Sequence, residues 1–413
     1  VNDACFDVPD RLLSLEEALD FLLSRARPLT ETEELDALDG LGRVLARGVA
    51  SELDVPPWDN SAMDGYAVRA EDLPAAGEAV LSISQRIPAG VFGAPLEPGT
   101  AARIFTGAPM PPGADTVVMQ ESCEAHGQSV RIPAPVTRGE NVRPRGNDIG
   151  AGAQILSPGT RLRPQELGLA AAVGLDRLEV YRRLRVAIFA TGDELVHPGR
   201  PLEPGQIYNS NRYTLHGLLR GLGCEVHDLG IIEDVYESTR DALLRAAEMA
   251  DLIVTSGGVS VGEEDHVKRA VEAVGRLEMW KIRVKPGKPL AYGRMGDADF
   301  LGTPGNPVST LVTFMLFARP FILKRQGVGI VMPRQLAVRA GFSRPKPGKR
   351  REFLRARLEP DENGELRAII FPRQGSDVLT SAVWGDGLVV VPEGVTVTVG
   401  QTVSYIAFSE LLG

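Results

Sequence analysis

Lys285-Pro-Gly-Lys288 sets proline and glycine at the second and third positions of a four-residue turn, the type II preference. Such a turn draws its end Cα atoms within about 7 Å. Paired cations at one point call for an anion, and a tetrahedral oxyanion or a phosphate suits them. Alone, the tetrad also reads as a hairpin turn with two solvated lysines, and both readings stand. Ser256-Gly-Gly-Val-Ser-Val-Gly-Glu-Glu-Asp265 follows an apolar stretch with a run of small residues, where backbone N–H groups approach an anion closely. Its closing acids, like those of Thr191-Gly-Asp-Glu194, would repel a phosphate, so if they share its pocket Mg2+ with hard oxygen ligands is the expected mediator. Glu264 and Asp265 suit a helix start equally well, where acids meet the positive end of the macrodipole. Gly305-Asn-Pro-Val-Ser309 opens a long apolar run, with Asn306 and Pro307 placed as N-cap and first helical residue, an arrangement compatible with anion binding there.

Asp54-Val-Pro-Pro-Trp-Asp-Asn-Ser-Ala-Met-Asp-Gly-Tyr-Ala67 combines three acids and a Gly-Tyr turn with little periodicity, as a functional loop would. An ordered domain-entry loop braced by Asp and Asn side chains explains it as well. The five histidines form no metal-ligand spacing, and neither a Gly-x-Ser-x-Gly elbow nor a P-loop occurs.

The elements around these motifs change character along the chain. Ser14-Leu-Glu-Glu17 is a capping box, and Leu15, Leu19, Leu22 and Leu23 continue it as an amphipathic helix up to Pro28. Short β runs at 80–84, 103–105, 116–119 and 129–132 make a β-rich module between about 54 and 144. A helix at 164–173 follows, read as the chain returning to the opening helix, so that the module is an insertion. From 185 the period alternates, with strands at 185–190, 224–231 and 252–255 and helices at 211–220, 238–249 and 264–274. Strands at 279–284, 289–293 and 299–302 and a helix from about 307 complete a doubly wound α/β unit. Ligands of such sheets bind beyond the carboxyl ends of the strands, and every unusual motif here follows a strand. Beyond 326 the chain is β-only, with Asn363-Gly364 as a hairpin signal. The expected units are 1–50 with 145–182, 51–144, 183–325 and 326–413.

At 413 residues, 43% hydrophobic and 24% charged, the composition is that of a soluble multidomain protein. A formal charge of −9 argues against nucleic-acid binding by general electrostatics. Cys5, Cys123 and Cys224 fit no disulfide framework, which points to a reducing cytoplasm. The start has no basic-then-apolar signal pattern, and the longest apolar run, 308–323, is interrupted by Arg319-Pro320, so no membrane segment is expected.

Asp59-Asn-Ser-Ala-Met-Asp-Gly-Tyr66, Thr106-Gly-Ala-Pro109, Thr191-Gly-Asp-Glu-Leu195, Ser256-Gly-Gly-Val-Ser-Val-Gly262, Lys285-Pro-Gly-Lys-Pro289 and Pro304-Gly-Asn-Pro-Val-Ser309 together resemble the molybdopterin molybdenumtransferases, the bacterial MoeA enzymes and the E domain of gephyrin. The motifs run through essentially the whole chain; Thr303 stands where the family usually has leucine. The resemblance implies a homodimer of four-domain subunits whose cleft lies between the α/β domain of one subunit and the β-rich insertion of the other, and a C-terminal β-barrel-like domain. It implies that molybdate is inserted into adenylylated molybdopterin, with Mg2+ required and AMP released. Asp64, Thr106, Glu194, Asp265 and Lys285 are then the catalytic candidates, and Glu194, Asp234 and Asp265 the metal ligands. Substrate would be held by Asp148, Asp193, Ser256, Gly257, Gly258, Ser260, Gly262, Lys281, Lys288, Pro289, Pro304, Gly305, Asn306, Pro307, Ser309, Arg350 and Ser376. Lys349 and Arg351 compete with Arg350 for that place. A transient contact with a molybdopterin adenylyltransferase is implied, with no nucleic acid or membrane partner. A tungsten-inserting paralogue and a gephyrin-like scaffold are the alternatives.

Overall fold

The computed structural model describes residues 12–258 and 266–412. Ser260, Gly262 and Asp265 therefore lie outside the described residues, as do Glu263 and Glu264. Helix α1 (Leu15–Arg25) begins at the expected capping box: Ser14 Oγ accepts the Glu17 N–H, and the Glu17 carboxylate accepts the Ser14 N–H at 2.8 Å. Six strands, β1 (Gly65–Val68), β2 (Gly77–Ile87), β3 (Thr100–Ile104), β4 (Thr116–Met119), β5 (Glu124–His126) and β6 (Ser129–Ala134), form one sheet in the order β4-β1-β3-β2-β6-β5. On either side of it the chain pairs with itself: Thr32–Asp36 lies antiparallel to Arg177–Tyr181, and Val49–Ala50 to Gln154–Leu156.

Helix α2 (Pro164–Ala172) does not return to α1. Its Ala170 joins a core with Leu45, Leu156 and Val180, whereas Leu19 and Leu22 of α1 are buried with Ile282, Val312 and Phe321 of the α/β unit. Leucines three and four apart form one helical stripe. Their partner surface is set by tertiary packing.

The α/β unit comprises β7 (Arg185–Thr191), α3 (Ser210–Gly221), β8 (Glu225–Ile232), α4 (Tyr236–Met249), β9 (Leu252–Ser256), α5 (His266–Val274), β10 (Arg276–Lys281), β11 (Pro289–Met295), β12 (Ala298–Thr303) and α6 (Pro307–Arg325). Its sheet order is β8-β7-β9-β12-β11-β10. The first four strands are parallel, β11 runs against them, and β10, antiparallel to β11, runs with the first four again. Side chains alternate across it: Val186, Ile188, Leu252, Val254 and Leu301 face the core shared with α1, α3 and α6, while Ala187, Phe189, Ile253 and Phe300 face α4 and α5. Burial on both faces explains why β7 and β9 read as unbroken apolar runs. The strand expected at 279–284 is two pieces. Residues up to Lys281 pair with β11, and Val284–Lys285 crosses to the next unit.

Helix α6 runs through Arg319-Pro320 rather than stopping there. A π-helical stretch, Phe314–Ala318, ends two residues before Pro320, whose missing N–H and bulky ring a regular turn would not accept. The helix is long and apolar enough to cross a membrane, but 78% of that segment is buried inside the protein, where it is the central core helix.

The last unit is a closed five-stranded barrel of β13 (Leu336–Ala340), β14 (Arg351–Pro360), β15 (Leu366–Ile370), β16 (Gly387–Val391) and β17 (Thr402–Ala407), closed by pairing of β14 with β16. Asn363-Gly364 turns β14 into β15, with Gly364 at φ +81°. Val284–Lys285 lies parallel to Arg351 and Glu352 and joins the barrel to the α/β unit.

Candidate active site

Strands β8, β7, β9 and β12 lie side by side and parallel, so the segments leaving their carboxyl ends emerge on one edge. Asp234 follows β8, Asp193 and Glu194 follow β7, Gly257 and Gly258 follow β9, and Pro304, Gly305 and Asn306 follow β12. A cavity of about 530 Å³ opens at this edge. Gly257, Gly258, Lys285, Lys288, Pro289 and Pro304 line it, with Gly305, Asn306, Ser309, Arg350 and Ser376. Three parts of the α/β unit and two loops of the barrel thus meet at one point.

The glycines are required by close approach. A Cβ on Gly258 would fall 2.3 Å from Val267 Cγ2, and one on Gly287 2.4 Å from Thr313 Oγ1; both residues also have positive φ. Gly257 N–H donates to Thr303 O at 3.0 Å, so this amide serves the sheet instead of an anion. Asn306 sits at the N-cap of α6 without a side-chain cap bond, and the Val308 N–H donates to Ser376 O at 2.9 Å. Part of this helix N-terminus is therefore occupied by the barrel.

Gly287 has the positive φ expected of the third turn position, and the peptide bond before Pro286 is cis. The two lysines are not equivalent. Lys285 Nζ donates to Glu352 Oε1 at 2.8 Å, whereas exposed Lys288 has no ion pair among the described residues. Glu352, 7% exposed, also pairs with Arg344 through its other oxygen. Burial acts to raise its pKa, but the Lys285 hydrogen bond and the Arg344 charge outweigh it and hold the carboxyl below the ordinary glutamate value. Arg350 donates to Val284 O at 3.3 Å and borders the cavity, while Arg351 turns away to Glu16 and Glu393.

Asp64 and Thr106 meet in the β-rich unit. Both the Thr106 N–H and Oγ1–H donate to Asp64 Oδ1 at 2.8 Å, and the backbone bond foremost lowers the Asp64 pKa. Neither borders the 530 Å³ cavity. The other acids of that loop are braces: Asp54 accepts the Ala151 N–H at 2.8 Å and Asp59 the Arg145 N–H at 2.7 Å. Asp148, exposed, lies in the segment they hold, and Lys281 at the end of β10; neither lines the cavity. Ser256 is buried as the last residue of β9, and Pro307 is the first of α6. Among the described residues no three acids, histidines or cysteines cluster as a metal site.

Three positioning residues escaped the sequence reading. Glu352 follows the basic triplet Lys349-Arg-Arg351, an acid whose partner there is 67 residues away in sequence. Asn211, in the first turn of α3, donates to Gly305 O at 2.7 Å and ties that helix to the loop after β12; its neighbour Asn209 is the N-cap, a signal legible in Asn-Ser-Asn. Arg355, 1% exposed and with a pKa lowered to about 10 by burial, donates to Ser381 Oγ and Gly375 O and holds the loop that carries Ser376.

Residues 13–174 match the model of the MoeA N-terminal region (domain I and II), 187–324 that of a probable molybdopterin binding domain, and 337–408 that of the MoeA C-terminal region (domain IV). Molybdopterin molybdenumtransferase of Haemophilus influenzae is 39% identical over 97% of this chain and 100% of its own length. The chain belongs to the molybdopterin molybdenumtransferase family. It is a transferase of that family, and molybdopterin molybdenumtransferase 2 of Mycobacterium tuberculosis is 38% identical over 91% of this chain and 93% of the relative. The molybdopterin biosynthesis MoeA protein of Pyrococcus horikoshii superposes with a TM-score of 0.81 at 28% identity, covering 96% of this chain and 100% of that one. The molybdenumtransferase motifs are thus carried by a chain alike from end to end.

Proposed function

We propose that this enzyme acts in molybdenum cofactor biosynthesis, inserting molybdate into adenylylated molybdopterin with release of AMP. The observation that carries the reading is the 530 Å³ cavity, in which glycine loops, two lysines, an arginine and two serines from separate stretches face one space. Lys288 and Arg350 supply charge to a tetrahedral oxyanion, Ser309 and Ser376 supply hydroxyls, and Lys285 joins them once it leaves Glu352. The loops at Gly257-Gly258 and Pro304–Asn306 allow a pyrophosphate to approach the backbone.

Glu194 and Asp234 leave neighbouring parallel strands, and their hard carboxylate oxygens fit Mg2+; Asp265 is the third expected ligand. Bound there, Mg2+ supplies charge neutralisation to the pyrophosphate. Asp64 and Thr106, rigidly joined yet absent from the cavity wall, fit a cleft completed by a second subunit in a cytoplasmic homodimer. An adenylyltransferase would hand over the substrate.

Purified protein given adenylylated molybdopterin, Mg2+ and molybdate should release AMP and yield a cofactor that activates an apo-molybdoenzyme. Omitting molybdate or Mg2+ should suppress this, and Glu194→Gln should mimic Mg2+ omission with the fold intact. AMP release unchanged without metal, or bound substrate that never becomes active cofactor, would sink the assignment. Tungstate competition in the same assay separates the tungsten-inserting alternative.

A further inference from the structure

A second and larger cleft, of about 930 Å³, opens where residues 157–163, 220–223 and 319–334 meet, and it shares no lining residue with the first cavity. Arg161, Arg183, Arg220, Arg319 and Arg334 line it, and none of the five is ion-paired through its guanidinium among the described residues. Arg161 donates to Gly221 O at 2.9 Å, Arg183 to Gly223 O at 2.9 Å and Arg319 to Val331 O at 2.8 Å, all neutral carbonyls.

Among the described residues two acids reach the cleft. Glu166 is taken by Arg163, and Glu410 accepts the Arg334 backbone N–H at 3.3 Å. The carboxyl end of α3, near Gly221, offsets part of the charge, but a helix terminus carries only about half an elementary charge. The remainder is crowded: burial and then the Arg161 charge depress the Arg319 pKa, and burial followed by Arg43 and Arg220 depresses that of Arg183. Arg319 Nε is buried with no partner among the described residues.

Guanidinium forks match phosphate oxygens in pairs, and a chain of formal charge −9 gathers these five arginines, besides the ion-paired Arg163, in one cleft against its own average. The volume lies in the range of small-molecule sites and far exceeds the ~30 Å³ share of a single water. Val328, Ile330 and Met332 add an apolar wall. We propose that this cleft is a second ligand site that takes a phosphate ester or anhydride with two or more linked phosphoryl groups.

Calorimetric titration of the full chain carrying Lys285→Ala and Lys288→Ala, which weakens the first cavity, with pyrophosphate and with ATP tests this. One saturable event should survive, with inorganic phosphate at least tenfold weaker and affinity falling steeply with salt. Arg161→Gln with Arg319→Gln on that background should weaken it more than tenfold. Should that variant misfold, the exposed pair Arg220→Gln and Arg334→Gln decides instead, with a several-fold loss and an unchanged melting temperature. No saturable event, affinity indifferent to all four arginines, or a change of oligomeric state in place of ligand affinity would overturn the proposal.

Discussion

The asymmetry of the two lysines is the sharpest feature at the residue scale. Lys288→Ala removes a charge-assisted contact of roughly 1.5–3 kcal/mol from the proposed oxyanion site, so molybdate affinity should fall about tenfold or more with little change in melting temperature. Lys285→Ala should lower both, because it also strips Glu352 of a partner. Titration calorimetry beside thermal melts checks the split, and equal stability losses in the two variants would refute it. The folded pKa of Glu352 lies below its unfolded value, so its contribution is full above about pH 4.3 and is lost as pH falls through the folded value. Glu352→Gln should cost about 1–2 kcal/mol at pH 7, a figure discounted for the partial exposure of Lys285 and Arg344. Acid unfolding curves should then converge for wild type and variant once pH has fallen below the folded value. A gap that persists there would mean that packing, not charge, sets the difference.

Elements meet at the site through side chains that never enter it. Arg355 spans from β14 to the 374–376 loop, and Ser376 O in turn receives a first-turn N–H of α6. Arg355→Ala should therefore cost roughly 2–4 kcal/mol through the cavity and the unpaired groups it leaves. It should also raise the molybdate Kd, although the residue lies outside the cavity wall. Denaturant melts and molybdate titration together test this; lost stability with unchanged affinity would confine Arg355 to barrel packing. Asn211 plays the matching part on the other side, where α3 restrains the loop after β12.

For the whole molecule, the question is how Asp64 and Thr106 reach a substrate. They are bonded to each other in the β-rich unit, and the 530 Å³ cavity is walled by other parts of the chain. If a second copy completes the cleft, the protein is a dimer in solution. Mixed dimers of an Asp64→Ala chain with a Lys285→Ala chain should recover activity at one of two sites. Mixed dimers no better than either parent, or a fully active monomer measured by light scattering, would rule this arrangement out.

Local chemistry determined much of this protein. The capping box at Ser14, the Asn363-Gly364 hairpin, the unbroken apolar strands and the glycines after β9 are each written in adjacent residues, because caps, turns and burial periods act over a few positions. The parallel running of the strands follows from the strand-helix alternation, and with it the single edge that carries the motifs, whereas the order of the strands in the sheet is seen only in the fold. What stayed illegible depends on partners distant in sequence. No local signal tells that Lys285 meets Glu352, that α1 packs on α6 instead of α2, or that α6 passes through Pro320 by widening one turn. A buried charge takes whichever counter-charge the packed fold brings within reach, and an apolar stripe covers whichever surface is left beside it. Those choices belong to the tertiary structure.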